Sequence, residues 1–211
     1  MITHEEYSTI LGIFLPEEAV RPVYEYCKRN KLQLKICRSR QTKLGDYRVP
    51  TKERPNSTIS INGDLNRYFF LWVLLHEMAH LDTFAQYGRG VKPHGHEWQQ
   101  AYAALMKEYA DMGCFTEEVA EAIKRCGSHI PQRRAEVQEV ERLLQRYDAD
   151  YDGKPKLQLN DLMPGEWFRI VGRSGQAFEA LEKRRTRWLC RGVEDGDQYL
   201  VQGEAPVERI E

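Results

Sequence analysis

Two histidines bracket a glutamate in the stretch HEMAH, residues 76–80. On a helix, His76 and His80 lie one turn apart on the same face, where both imidazoles can bind one metal ion. Glu77 lies roughly 100° around that helix from His76, so its carboxylate lies beside the ion rather than on it. In such a site zinc acidifies a water molecule and the glutamate takes its proton, which is the chemistry of metal-assisted peptide hydrolysis.

A hydrolytic zinc site needs a third protein ligand and one open position. His94 and His96, in the stretch HGHEW, are both candidates, because glycines in the intervening loop permit a sharp reversal of the chain. Spacing alone does not choose between them. The alternative interpretation makes His76 and His80 core histidines without a metal, but a buried pair would then need other hydrogen-bond partners.

The segment that carries HEMAH is predicted to be the central buried helix. It is apolar on most sides, Asp64 or Asn66 is expected to cap its start, and Gly88 is expected to end it. Further helices are predicted after it, and their expected positions are 96–113, a helix that Thr116 opens, and 131–147.

The chain before this helix predicts a helix and then a small sheet. Residues 16–30 have helical spacing of apolar positions, with acids in the first turn and basic residues in the last. Residues 32–37 and 57–62 alternate as strands do, and another short strand is expected after a turn at Gly45 and Asp46. Three short strands in succession favour an antiparallel sheet.

The composition changes at residues 148–156, a polar stretch with a glycine and a proline that we interpret as a linker. Residues 157–211 then contain five short strand patterns, with VEDGDQ as a predicted hairpin turn. We therefore predict an α+β fold with two parts: a metal-binding domain over residues 1–147 and a small β module over residues 157–211.

Composition gives little guidance about partners, because 31 basic residues face 32 acidic ones. No apolar run approaches the ~20 residues that span a bilayer, and the acidic N-terminus does not resemble a secretory signal. Five scattered cysteines suggest neither a disulfide framework nor a four-cysteine zinc site, so we expect a reducing cytoplasm. Cys126 and His129 form a possible metal pair, but we interpret their proximity as incidental.

HEMAH followed after 13 residues by HGHEW resembles the SprT/Spartan family of zinc metalloproteases, whose pattern is HExxH and then H-G-x-E with an aromatic residue. The likeness extends upstream to a Leu44-Gly45 step with Tyr47 and Arg48 nearby, and to a strand that carries Ile59 and Ile61. It covers roughly residues 15–115.

This resemblance implies a zincin-like fold, one Zn²⁺ ion, and Glu77 as the general base of an endopeptidase. It makes His94 the third ligand, Gly95 the entry to the next helix, and Glu97 an acid behind the ligands, while His96 occupies a variable position. A substrate peptide is then expected to pair along a sheet edge. Relatives often end in a four-cysteine zinc ribbon, but this chain has only Cys190 after the linker, so a second zinc is not expected.

Residues 28–54 hold ten basic and two acidic residues, a net charge of +8 within a neutral chain. Such a surface can contact DNA phosphates, in a salt-sensitive manner. The alternative is a solvated face with compensating acids packed alongside. The predicted contacts are Lys35, Arg38, Arg40, Lys43 and Arg48.

The sequence thus predicts a zinc endopeptidase that acts on DNA-associated or DNA-crosslinked proteins, in the cytoplasm and at the nucleoid, with no membrane contact and no indication of oligomeric state. A different class of function is a metal-containing module that binds nucleic acid with little or no proteolysis. A third hypothesis is a purely structural zinc with Cys114 or His96 as its fourth ligand.

Overall fold

The structure is a computed structural model that describes residues 4–40, 43–127, 134–151, 157–171, 175–185, 187–203 and 205–210. Contacts between Cα atoms divide the chain into two compact units, Met1–Asp152 and Gly153–Glu211. Each unit has its own hydrophobic core. Of the predicted linker, residues 152–156 lie outside the described part of the chain.

The first unit contains six helices within its described residues. The predicted helices around residues 16–30, 67–87 and 96–113 are present, and so is the helix after Thr116; residues 131–133 of the last predicted helix lie outside the described ones. The first helix was not expected; it buries Leu11 in the core. The bounds are α1 His4–Phe14, α2 Glu17–Arg29, α3 Arg67–Tyr87, α4 His96–Asp111, α5 Glu117–Cys126 and α6 Arg134–Gln145.

The small sheet consists of β1 Gln33–Cys37, β2 Gly45–Arg48 and β3 Thr58–Asn62, in the order β1-β3-β2. β3 pairs antiparallel with β2 but parallel with β1, so the expectation of a wholly antiparallel sheet was wrong. The residues Gly45 and Asp46, expected as a turn, lie inside β2. The expectation failed because strands consecutive in sequence were taken as neighbours, whereas β1 and β2 lie on opposite sides of β3.

Two side chains join Arg40, Lys43 and Leu44, which lie between β1 and β2, to the end of β3. The guanidinium of Arg40 donates to the Asn62 side chain (2.8 Å), the Ser60 hydroxyl (3.1 Å) and the Leu44 carbonyl (3.3 Å). In return the buried Asn62 amide donates to the carbonyls of Arg40 (3.1 Å) and Lys43 (3.3 Å). These bonds set where β2 begins.

α3 is the central helix, and it begins and ends where its caps predict. The side chain of Asn66 accepts hydrogen bonds from the backbone N–H groups of Tyr68 and Phe69, which have no partners within the helix. Gly88, with φ of 67°, ends the helix in a conformation that favours glycine. Most of α3 is buried between the sheet and the other helices, as its apolar sequence predicts.

The second unit is a five-stranded antiparallel sheet with strand order β7-β6-β5-β4-β8. One face packs around Phe168, Phe178 and Trp188, and VEDGDQ joins two adjacent antiparallel strands as predicted. The strands are β4 Trp167–Ile170, β5 Ala177–Lys183, β6 Arg187–Gly192, β7 Gln198–Gln202 and β8 Val207–Ile210, preceded by a short 3-10 helix, Leu159–Asp161. The α+β class is therefore confirmed.

Within the described residues, no helix combines the length and the apolar character that crossing a membrane requires.

Candidate metal centre and active site

Three imidazoles converge at one point on the first unit. The Nε2 atoms of His80 and His94 lie 3.0 Å apart, and those of His94 and His76 lie 3.2 Å apart. Zn–N bonds of about 2.0–2.1 Å in a tetrahedron place two ligand nitrogens roughly 3.3 Å apart, close to these distances. Among the described residues, these three histidines form the one cluster with metal-ligating geometry. The donor set therefore fits a zinc ion.

His94 reaches the cluster from the loop before α4 through an unusual backbone conformation. Its φ is 56°, in the left-handed region that non-glycine residues seldom occupy. Next to it, a Cβ on Gly95 would lie 2.8 Å from the Lys92 carbonyl, so only glycine fits the turn into α4. The Gln99 side chain donates to the His94 carbonyl at 3.1 Å and so ties the loop to the helix.

Two aromatic side chains of α4 pack beneath the imidazoles. The ring centroid of Trp98 lies 4.7 Å from that of His76, 5.2 Å from that of His80 and 4.6 Å from that of His94. Tyr102 stacks on Trp98 at 4.9 Å and contacts His76 at 5.6 Å. This apolar floor excludes water from one side of the cluster and limits the rotation of the rings.

The floor also keeps the imidazoles neutral, the form that binds metals. Burial lowers the pKa of His76 to about 3, with His80 and His94 acting in the same direction. Burial likewise lowers the pKa of His80 to about 4, assisted by His94, and it lowers the pKa of His94. At neutral pH the three rings therefore present lone pairs rather than positive charges.

Glu77 is buried beside this cluster, with 7% of its surface exposed. Burial raises the pKa of its carboxyl to about 7, and the negative charge of Asp46 adds to the rise. A hydrogen bond from the Tyr47 backbone N–H opposes it. A carboxyl group that titrates near neutrality is well matched to accepting and returning a proton at physiological pH.

Gly45 of β2 lies directly against this carboxylate. A Cβ at Gly45 would lie 2.6 Å from Oε1 of Glu77 and 2.8 Å from a methyl carbon of Val73, distances at which something must shift. Since β2 is paired along its length with β3, the strand holds a fixed wall against Glu77. Arg40 and Asn62 position Leu44, the residue before that wall, through the bonds described above.

Two cavities flank the cluster, each of about 270 Å³. One touches His80 and opens between β2, the end of α3 and the loop before His94. The other touches His76 and Glu77, and its wall includes the carboxylate side chain of Glu141 from α6. The metal centre therefore lies between two side-chain-sized depressions.

Other predicted residues lie outside the cluster. His96 is exposed at the start of α4, and Cys114 is buried; neither is part of the three-histidine group. Glu97 lies in the first turn of α4, and its Oε2 atom would be 3.4 Å from a Cβ on Gly95. His129 lies outside the described residues, and Cys126 is buried and forms no disulfide.

The five predicted DNA contacts differ in what they do. Lys35 and Arg38 are exposed. Lys43 and Arg48 are paired with Asp46, at 2.7 and 2.8 Å. Arg40 directs its guanidinium into the bonds with Asn62, Ser60 and Leu44, so it supports the loop before β2.

Sequence reasoning gave no role to several of these supports. Gly45 is predicted only as a turn residue and as part of the family pattern, because its close approach to Glu77 depends on a strand and a helix distant in sequence. Asn62 gave one signal, a polar residue at the end of an alternating strand, which in hindsight marks a buried hydrogen-bonding side chain. Glu141 gave no signal, because its helix reaches the site only through tertiary packing.

A model of the SprT-like family matches residues 17–122, which is 106 of the chain's 211 residues. The match includes all three histidines of the cluster and Glu77, and it confirms the resemblance predicted from HEMAH and HGHEW. No curated protein and no solved structure matches the chain.

Proposed function

The chain belongs to the SprT-like family, which is generally a family of metallopeptidases, and from this premise we propose that it is a zinc-dependent endopeptidase. The observation that carries the proposal is the convergence of three imidazoles beside a buried glutamate on the same helix. A zinc ion held by these three imidazoles would supply a Lewis acid that lowers the pKa of water and polarises a peptide carbonyl.

The protein's own residues then have distinct roles. His76, His80 and His94 hold the ion, and the aromatic floor of Trp98 and Tyr102 keeps their rings oriented. Glu77 accepts a proton from the attacking water and returns it to the leaving nitrogen of the peptide. Burial and the charge of Asp46, which raise the pKa of this carboxyl, favour its role as a proton acceptor.

The substrate peptide is proposed to pair with β2, the sheet edge beside the metal centre. β2 is an edge strand, since the order is β1-β3-β2. Asn62 N–H donates to the Leu44 carbonyl, so alternation turns the backbone groups of Gly45 and Tyr47 away from β3. A peptide added here would lie across the three histidines.

DNA-associated or DNA-crosslinked proteins are the proposed substrates. The support is the basic stretch 28–54, of which Lys35 and Arg38 are exposed on and after β1. None of the five cysteines forms a disulfide, which suits a reducing cytoplasm where the protein would meet the nucleoid. Only phosphate contact is proposed, since this surface offers little for base readout.

Metal analysis of the purified full chain tests zinc binding, and digestion of a protein substrate tests peptidase activity. One equivalent of zinc, with casein or histone cleavage that Glu77→Gln abolishes, is the expected result. Zinc without any cleavage, on free or DNA-bound protein, would favour the nucleic-acid-binding alternative.

For DNA, the double variant Lys35→Glu/Arg38→Glu should weaken binding and reduce its salt dependence. Charge reversal at the exposed Lys107 and Lys124 of α4 and α5 is the matched control and should leave binding unchanged. Equal effects of the two double variants would contradict a DNA surface at β1.

A further inference from the structure

The cavity beside His80 has walls suited to an apolar side chain. Phe84 follows His80 by one helical turn, so a wall of the cavity and a metal ligand share one face of α3. Tyr47 of β2 faces it, with the two ring centroids 6.4 Å apart. Thr83 also lines the cavity, but its hydroxyl donates to the Ala79 carbonyl at 2.7 Å, so its polar atom is already bonded within the helix.

The size and charge of the cavity limit which side chains it can bind. At about 270 Å³ it is smaller than typical small-molecule sites of roughly 300–1,000 Å³, and it suits a single large side chain. Val91 and Pro93 extend the apolar surface, whereas Arg89 and Lys92 are exposed at its mouth. None of the described residues that line it is acidic, so a lysine or arginine side chain would find no counter-charge among them.

The direction of β2 relates the cavity to one side of the cleaved bond. The strand runs from Gly45, against Glu77, towards Tyr47 and Val49, which line the cavity. Antiparallel pairing is the commoner arrangement, and a peptide so paired has its N-terminal part beside Val49. Residues that precede the scissile bond therefore lie over this cavity.

We propose that this cavity is a substrate subsite that binds one large apolar side chain on the N-terminal side of the scissile bond. The inference rests on the proposed endopeptidase function and adds a substrate class to it: extended peptides with Phe, Leu, Met or Tyr one or two residues before the bond. The subsite selects against basic residues at that position through the charges of Arg89 and Lys92.

Cleavage of a proteome-derived peptide library by the zinc-loaded full chain tests the preference. Large apolar residues should be enriched at least about tenfold over Lys and Arg before the bond, a ratio in the range that one apolar pocket provides. Val91→Asp adds an acid to the cavity wall from an exposed loop, so it should raise cleavage after Lys and lower it after Phe. Val171→Asp, at an exposed position in the β module, is the matched control and should change neither.

Measurement of peptide binding separates a failure of the subsite from a failure of the proposed endopeptidase function. With zinc-loaded Glu77→Gln, the Kd of a Phe-containing peptide should be about tenfold lower than that of its Lys counterpart, and Val91→Asp should reverse the order. Cleavage without preference, or preference confined to residues after the bond, would overturn the subsite and leave the endopeptidase standing. A parent protein that cleaves no peptide but shows the binding preference would overturn the endopeptidase and leave the cavity only as a peptide-binding pocket for an apolar side chain.

Discussion

His76 and His80 come from the middle of a buried helix, whereas His94 comes from an exposed loop with a left-handed backbone. Around the first two, Leu74, Leu75 and Met78 have no exposed surface. Around the third, support comes from the local bonds of Gly95 and Gln99. One half of the metal centre is therefore fixed by core packing, and the other half is fixed by a few local contacts.

This difference assigns separate tasks to the two halves. The helix sets the distance between the two proposed ligands and the proposed general base before any ion binds, because moving them would disrupt the core. We expect the loop to adapt more readily and its ordering to depend more strongly on the ion. The cavity proposed as a subsite lies between the halves, with walls from both.

Removal of either kind of ligand should have the largest effect. His80→Ala and His94→Ala should each weaken zinc binding by more than the ~10–100-fold typical of residues behind the ligands, and activity should be lost. His96→Ala is the matched control, since His96 lies outside the cluster, and its zinc Kd should stay within twofold of the parent. Chelator competition measures all three. Equal losses in His94→Ala and His96→Ala would show that the loop offers either imidazole.

Glu77→Gln should lower kcat by about 10²–10⁴-fold, the usual contribution of a general base, and retain one zinc. The amide keeps the shape of the side chain but cannot accept the proton. Single-turnover digestion beside metal analysis measures both. Loss of zinc in this variant would mean that the glutamate is a ligand, although it lies against Gly45 and is not part of the three-histidine group.

The half of the metal centre that lies on α3, with His76 and His80, could be predicted from the sequence because its signals are local. Periodicity places His76 and His80 on one face, Asn66 and Gly88 bound the helix, and the apolar composition predicts burial. The strands of the β module could be predicted equally well, because each alternates over a few residues between turns.

The loop-borne half and the sheet were less predictable because they depend on contacts between distant residues. Residue spacing left His94 and His96 equivalent, and only the family resemblance separated them. The parallel pairing of β1 with β3 is accompanied by hydrogen bonds between Arg40, which follows β1, and Asn62 at the end of β3. The sequence predicts Arg40 as a DNA contact and Asn62 as part of an alternating strand. Their hydrogen bond joins residues 22 positions apart, so neither local pattern reveals it.

Gly45→Ala should lower kcat by roughly 10–100-fold and leave zinc affinity unchanged, because an ångström of displacement at a catalytic group costs about that much. The new methyl group would occupy space 2.6 Å from Oε1 of Glu77, so the carboxylate must move. Gly12→Ala, in α1 with no atom within 4 Å of the new methyl, is the matched control. An unchanged kcat in Gly45→Ala would show that the carboxylate needs no fixed wall.

Removal of zinc by a chelator should increase the mobility of the loop that carries His94 more than that of α3, which carries His76 and His80. Amide hydrogen exchange should become faster in residues 88–95 and remain slow in the centre of α3, where opening requires unfolding of the core. Mass spectrometry of the loaded and stripped protein measures the difference. Equal acceleration in both segments would show that the ion, not packing, orders the helix half.

Substitution of Asn66, the N-cap of α3, should have the smallest effect on the metal centre. Asn66→Ala removes the acceptor for two helical N–H groups and the bonds to the Leu144 carbonyl (2.9 Å) and Asp148 (2.7 Å), so it should destabilise the first unit by about 1–2 kcal/mol. Zinc affinity should not change, because His76 lies about three turns further along the helix and fraying is confined to the first turn.

Asn66→Ser separates the two contributions, since a serine restores the cap acceptor but is too short to reach α6. Urea unfolding should show part of the stability recovered, with zinc Kd equal in the parent and both variants. If zinc affinity instead falls in step with stability, the geometry of His76 and His80 depends on the whole helix rather than on the packing around its centre. The contrast between a packed half and an adaptable half would then not hold.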